Sequence, residues 1–249
     1  MSALAVGLII FGCVFGGAVL GMLLRGMLPE SHLSAESRDV VKLGTGLIGT
    51  MAALLLGLMI AFAKSSYDTH VNEVTEASAK ILMLDRVLAH YGPEAAEARN
   101  LLRRAVGNMR QRLWAPSTAV ATRPTSTEGE LLYDVVNQLA PESEPQRAQR
   151  VQALQLVGEV ARTRMLLHAQ QGRTISMPFL TVVVAWITLM FVSFGLFAPR
   201  NFTVITTLVL CALSVSAAVF LILELDQPFG GLIEVSDVPL RHALALLGQ

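Results

Sequence analysis

Four long blocks of apolar residues limit what this chain can fold into more than any other feature of its sequence. No charged side chain occurs within residues 2–24, 174–198 and 201–223, and Lys42 is the only one within residues 40–63. An α-helix needs about 20 residues to cross about 30 Å of hydrocarbon, whereas a membrane strand needs about 10 residues that alternate apolar with polar. The blocks therefore predict four transmembrane helices, at about 3–24, 40–63, 175–197 and 202–224.

The composition agrees with a membrane protein and excludes several other classes. Hydrophobic residues make up 53% of the chain and charged residues 15%, outside the range of ordinary soluble domains. The first block lacks the basic segment of a secretory signal, and a second span follows it closely. Cys13 and Cys211 both fall inside predicted spans, which suits neither a disulfide framework nor a metal site. The net charge of zero indicates no nucleic-acid partner.

The region between the second and third spans, 64–174, is predicted to be a helical domain. Four spans place this region and both termini on one side of the membrane, and 14 of the 19 Lys and Arg residues lie within it. Because basic residues are enriched on the cytoplasmic side, an N-in, C-in topology is predicted. The expected divisions are 1–63 with two spans, 64–174 with the cytoplasmic domain, 175–224 with two spans and 225–249 as a tail.

Apolar residues recur at helical spacing within this insert, on segments separated by breaks. The second span continues as a helix to Tyr91, and Gly92-Pro93 ends it. We then expect a second helix, a mobile loop near 115–129, a short helix around 130–139 and a last helix at about 146–171. The apolar seams are Val74, Ala77, Ile81, Leu84, Leu88 and Tyr91 on the first helix, and Val151, Leu154, Val157, Ala161, Met165 and His168 on the last.

One face of the second span carries small residues. Gly44 to Gly49 matches the G-x-G-x-x-G pattern of nucleotide-binding loops, but that pattern needs a preceding strand and an exposed helix start, and here it lies inside an apolar span. Small side chains instead allow either another helix or a narrow water path to approach the backbone, and both interpretations stay open. If the span lines a pore, its lining residues are Gly46, Thr50, Ala53, Gly57, Ile60 and Lys64.

Polar residues just beyond this span suggest two sites, each with a simpler explanation. Lys64 either snorkels to the lipid headgroups or contributes to a ring of positive charge at a pore mouth. Asp68, His70 and Glu73 invite a metal interpretation, but no further ligands cluster with them, so a solvated helix face is expected. The chain offers no nucleophile elbow and no pair of carboxylates in the membrane, so we expect no enzyme and no cofactor.

The segment after the fourth span combines acidic residues with residues that end a helix. Glu224 and Asp226 lie at the C-terminal end of a helix, where the macrodipole favours cations. Pro228 then stops the helix, and Gly230-Gly231 allows the chain to reverse direction. We interpret these residues as a structural clamp that holds arginines of the helical domain against the membrane face.

Two segments resemble the bacterial bestrophin-like membrane proteins. The first is Leu54 to Ala63 with Tyr67-Asp68, Glu73 and Glu76-Ala77 behind it; the second is Leu225 to Gly231 with Ile233, Val235-Ser236 and Pro239-Leu240 behind it. The resemblance covers nearly the whole chain in layout, with two spans, a helical insert, two further spans and a short tail.

This resemblance implies a function. Bestrophins are pentameric anion channels whose second transmembrane helix lines the pore and whose cytosolic helical domain extends the conduit. We therefore expect a homo-oligomeric ion channel, with a pentamer favoured, in a bacterial inner membrane, whose partners are lipid, ions and further copies of itself. The chain lacks an acidic calcium cluster and retains only Phe62 of the phenylalanine-rich neck, so calcium gating is not implied. The alternative is a non-conducting scaffold or signalling protein that binds a partner through the two apolar seams.

Overall fold

The structure is a computed structural model that describes residues 2–29, 34–114, 127–169 and 177–248, and every regular element among them is a helix. The helices are α1 (Ala3–Arg25), α2 (Ala35–Tyr91), α3 (Ala96–Leu113), α4 (Thr127–Gln138), α5 (Glu144–Ala169), α6 (Met177–Phe197), α7 (Phe202–Leu225) and α8 (Val238–Leu246). In the described part of the chain, α1, α2, α6 and α7 are long and apolar enough to cross a membrane. The prediction of an all-α membrane protein with four transmembrane helices and a helical insert is confirmed.

The second span and the start of the insert form one unbroken helix. α2 is 57 residues long and ends at Tyr91. Gly92 has a φ of 127°, which favours glycine, and Pro93–Ala95 form a single 3₁₀ turn before α3. The predicted break at Gly92-Pro93 is therefore confirmed. Most of the predicted mobile loop near 115–129 lies outside the described residues, and α4 already begins at Thr127.

The chain divides into two compact units, and each unit takes two separate parts of the sequence. The first unit comprises Met1–Ser66 and Arg173–Asp226, and the second comprises Tyr67–Gly172 and Gln227–Gln249. The first unit therefore contains the four apolar spans. The second contains the rest of α2, the helices α3 to α5, and the C-terminal segment with α8.

In the first unit, α1 packs closely on α6 and α7 because glycines remove the side chains between them. A Cβ on Gly21 would overlap the carbonyl oxygen of Val192, and one on Gly195 would overlap the carbonyl oxygen of Ala18. The hydroxyl of the buried Ser216 on α7 donates to the Gly7 carbonyl at 2.5 Å. Small residues at such crossings replace side-chain contacts by backbone contacts.

Arginine side chains link the C-terminal ends of α1 and α6 in the first unit. Arg25 at the end of α1 donates to the Ala198 carbonyl, and Arg200 donates to the Met22 carbonyl at 2.6 Å. The last carbonyls of a helix have no partner within it, so these guanidinium groups satisfy acceptors that would otherwise need water.

The second unit has its own apolar core, to which all of its helices contribute. The apolar seam of α2 is buried in this core, where Ile81, Leu84 and Leu88 are fully buried. They pack with side chains from α3, α4, α5 and α8, which are Ala98, Leu102, Val106, Leu132, Val136, Ala153, Leu156, Val157, Leu240 and Ala243. The C-terminal helix is thus part of this core.

Candidate pore-lining helix and C-terminal segment

The span of α2 is the least buried of the four. In the most apolar 18-residue window of each helix, 17% of the residues are buried in α2, against 28% in α6, 33% in α1 and 44% in α7. Much of the surface of α2 is therefore left uncovered by the chain itself. A transmembrane surface of this kind faces lipid, another copy of the protein or a water-filled path.

Of the four glycines of α2, Gly49 packs against another helix, whereas Gly44, Gly46 and Gly57 face open space. A Cβ on Gly49 would lie 2.9 Å from the Met190 Cε atom of α6. A Cβ on Gly46 or Gly57 would meet no atom within 4 Å. Packing between helices of one chain therefore accounts for Gly49 and does not account for Gly46 or Gly57.

The predicted lining residues share one side of α2. At 3.6 residues per turn, all six fall within roughly 80° of one another, and their centre lies roughly 120° around the helix from the buried Ala52, Met59 and Ala63. Gly46, Thr50, Ala53, Gly57 and Lys64 are exposed, whereas Ile60 is partly buried. The Thr50 hydroxyl donates to the Leu47 carbonyl at 2.8 Å, so its proton is used within the helix. Their pore-lining role itself stays a prediction.

A second stripe of α2 is exposed beside the small residues and consists of large apolar side chains. Leu47 is 65% exposed, Leu54 is 74% exposed and Leu58 is 49% exposed. The exposed surface of the span thus has a narrow small-residue side and a bulky apolar side. The first can border water, and the second suits lipid or a neighbouring helix.

His70 lies in the interior of the second unit. Its side chain is 3% exposed, its ring centre is 5.6 Å from that of Phe229, and its Nδ1 is 3.4 Å from a carboxylate oxygen of Glu73. The expectation of a solvated helix face is wrong for His70, because the C-terminal segment covers it. Among the residues that the structure describes, no group of three or more His, Cys, Asp or Glu side chains could hold a metal.

The C-terminal segment is attached to the second unit by aromatic side chains. Phe229 packs edge-on against Trp114, with ring centres 5.4 Å apart. The Trp114 indole N–H donates to the Val235 carbonyl at 2.8 Å, and the Tyr67 hydroxyl donates to the Glu234 carbonyl at 3.3 Å. Sequence reasoning missed Phe229 and Trp114, whose contact joins positions far apart in the chain.

The predicted clamp residues occupy the end of α7 and the turn after it. Glu224 and Asp226 are both 5% exposed, and each has an interaction partner. Pro228 is buried, and its carbonyl accepts from the Val235 N–H at 2.7 Å, which closes the loop. Gly230 is exposed without a positive φ, so neither crowding nor backbone conformation requires glycine there. The pairing of the two acids with arginines of the insert stays a prediction.

Ion pairs in the second unit connect helices. Arg99 on α3 forms two hydrogen bonds with Asp85 on α2, at 2.8 and 3.0 Å, and these bonds raise the pKa of the guanidinium further. Lys80 lies 2.8 Å from Glu76 and 2.9 Å from Glu159 of α5, and hydrogen bonding to both carboxylates raises its pKa. These ion pairs therefore link α2 to α3 and to α5.

Comparisons with known proteins agree with this architecture. The chain is similar to a bacterial bestrophin homologue from Klebsiella pneumoniae. Against one single-substitution variant the TM-score is 0.69 at 14% identity, covering 95% of this chain and 99% of that one. Against another variant, the TM-score is 0.68 at 14% identity, and the match covers 100% of this chain and 99% of that one. Against a further structure of that homologue, phased with zinc, the TM-score is 0.66 at 14% identity, and the match covers 93% of this chain and 94% of that one.

At this identity the structural likeness shows the fold alone, and the family comes from the sequence. No curated protein matches the chain. The family model described as the Bestrophin-like domain matches residues 12–240, which include the second, third and fourth spans, part of the first and the whole helical insert. The chain therefore belongs to the Bestrophin-like domain family.

Proposed function

We propose that the protein is a homo-oligomeric ion channel of the bestrophin type, in which α2 of each subunit lines a central pore. The observation that carries this proposal is the open small-residue side of α2, where a Cβ on Gly46 or Gly57 would meet no described atom within 4 Å. One helix per subunit encloses a conduit only when several subunits form a closed ring, and we propose a pentamer. Membership of the Bestrophin-like family supports the same assignment.

Anions are the proposed permeant ions. Lys64 is exposed at the end of the span on the same side of α2 as Gly57, so a ring of subunits would present a ring of positive charge there. Ile60, one turn before Lys64 on the same side of α2, would contribute to an apolar constriction. We place the protein in a bacterial inner membrane with both termini in the cytoplasm, because most basic residues lie in the insert.

The scaffold alternative is weakened by the second unit. A partner that bound the α2 seam would need Ile81, Leu84 and Leu88, and all three are buried in the core of this unit. On α5, Val157 is also buried, while Val151 and Met165 are exposed. Most of the surface on which a scaffold would depend is therefore occupied by the chain itself.

Subunit counting followed by conductance measurement tests the channel. Native mass spectrometry in mild detergent should give a single ring-sized oligomer, and planar bilayers should then show ion currents. Gly57→Leu should lower the single-channel conductance without changing the subunit number, because the new side chain enters the conduit. Gly12→Leu on α1 is the matched control, since Gly12 also faces open space but not on α2. A stable monomer, or a ring without currents, would refute the channel.

A further inference from the structure

A groove on the surface of the second unit runs between α2 and α5. Its volume is about 510 Å³, and the apolar residues that line it are Leu82, Met83 and Val87. Met83 is 52% exposed although it is apolar. Arg86 and His90 are exposed on the α2 side, and two glutamines of α5 line the other side. At 100° per residue, Arg86 and His90 lie between Leu82 on one side and Met83 and Val87 on the other, so the α2 face of the groove has a basic centre with apolar flanks.

The same unit presents a surface of opposite character on α4. Leu132 and Val136 anchor this helix in the core, and the opposite side carries an exposed ridge formed by Glu130, Leu131, Tyr133 and Asp134. Leu131 is 45% exposed and Tyr133 is 46% exposed. Glu130 and Asp134 are neighbours on the helix surface, since positions four apart lie on the same side, and at 100° per residue Leu131 and Tyr133 lie on either side of them. The α4 ridge therefore has an acidic centre with apolar flanks.

We propose that the α4 ridge of one subunit binds in the α2–α5 groove of the next subunit. Asp134 would pair with Arg86 at the centre of the contact, and Leu131 and Tyr133 would cover the apolar side chains on either side of it. Two different surfaces of one chain that bind each other form a heterologous contact, which closes into a ring when the rotation allows. The charge pair selects the register of the two surfaces, and tyrosine and arginine are the residue types that dominate such interfaces. This inference rests on the proposed ring, for which it names the contact.

Charge reversal with rescue tests the contact in the full-length protein. Arg86→Glu and Asp134→Arg should each dissociate the ring, measured by native mass spectrometry at a detergent concentration that preserves the wild-type ring. The double variant should restore the ring, because the pair is re-formed with opposite signs. Arg104→Glu, an exposed charge reversal on α3 outside both surfaces, should leave the ring intact. Far-UV circular dichroism checks that each variant is folded.

The outcomes separate this contact from the channel itself. If both single variants keep a wild-type ring, the groove is occupied by something other than α4 and the inference is overturned, while the channel stands. The same holds if the double variant stays dissociated although both single variants are folded. A wild-type protein that is monomeric would instead refute the proposed ring, and the contact with it.

Discussion

At the scale of single residues, glycines decide how closely the helices of the first unit approach. Gly17, Gly21 and Gly195 lie where α1 crosses α6, and the Cβ of any other residue at Gly21 or Gly195 would overlap a backbone carbonyl. A backbone atom cannot rotate away as a flexible side chain can. These positions therefore tolerate no larger residue without separation of the two helices.

Gly21→Ala should destabilise the first unit by about 2 kcal/mol or more, because overpacking displaces the α6 backbone. The measurement is the loss of the native state on heating in mild detergent. Gly16→Ala is the matched control on the same helix, since a Cβ at Gly16 meets no atom within 4 Å. Equal melting temperatures for the two variants would contradict the close crossing.

The ion pair between Asp85 and Arg99 should matter more than a surface pair. The Asp85 side chain is 9% exposed and accepts two hydrogen bonds from Arg99. Asp85→Asn should destabilise the second unit by about 1–3 kcal/mol, since a charged hydrogen bond is lost in a buried place. Arg147→Gln removes a pair in which both side chains are mostly exposed, and should cost less than about 1 kcal/mol. Chemical denaturation followed by circular dichroism compares the two variants.

At the scale of elements, the C-terminal segment links α2, α3 and α8. Phe229 touches His70 and Trp114, and the carbonyl of Val235 accepts from the same tryptophan. Two aromatic contacts and one hydrogen bond attach the segment before α8 enters the core. The segment therefore acts as a strap over the end of α3.

Phe229→Ala should loosen this strap, because it removes the ring that packs on Trp114. In a Trp186→Phe background Trp114 is the only tryptophan, so its fluorescence reports the contact directly. We expect a red-shifted emission and a loss of stability of about 2 kcal/mol, less than for a fully buried phenylalanine. Phe202→Ala, at a position that is 86% exposed, serves as the control. An unchanged emission in Phe229→Ala would contradict the strap.

At the scale of the whole molecule, the two units are interleaved along the chain. The second unit is completed only by residues that follow the fourth span. Three residues of this segment lie in its core and are at most 2% exposed, namely Leu240, Ala243 and Leu247. A buried leucine contributes about 1.5–3 kcal/mol, and a domain is stable by about 5–15 kcal/mol, so loss of this segment removes a large share of the stability.

Truncation after Asp226 should therefore leave the four spans in the membrane but unfold the second unit. Limited proteolysis in detergent should cleave within α3 to α5 of the truncated protein and spare the same helices in the full-length protein. Truncation after Leu247 retains all of the buried side chains of α8 and should behave like the wild type. Protection of the insert in the shorter variant would show that the C-terminal segment is dispensable.

Sequence alone determined the features that depend on local composition. Each span follows from the length of an apolar block with at most one charged side chain, and the end of α2 follows from Gly92-Pro93, because both depend on residues that are neighbours in the chain. The seam at Ile81, Leu84 and Leu88 was likewise predictable from helical periodicity. What the seam packs against was not: a repeat in one helix says nothing about whether its partner is the same chain or another.

Only the tertiary structure decided which small residues are crowded and which face open space. Gly21 is closed in by α6, and Gly57 is not, although both lie in apolar helices with similar neighbours in sequence. His70 is buried because Phe229, distant in the chain, covers it. Such contacts join positions that no local pattern relates, and burial is a property of what surrounds a residue rather than of the residue itself.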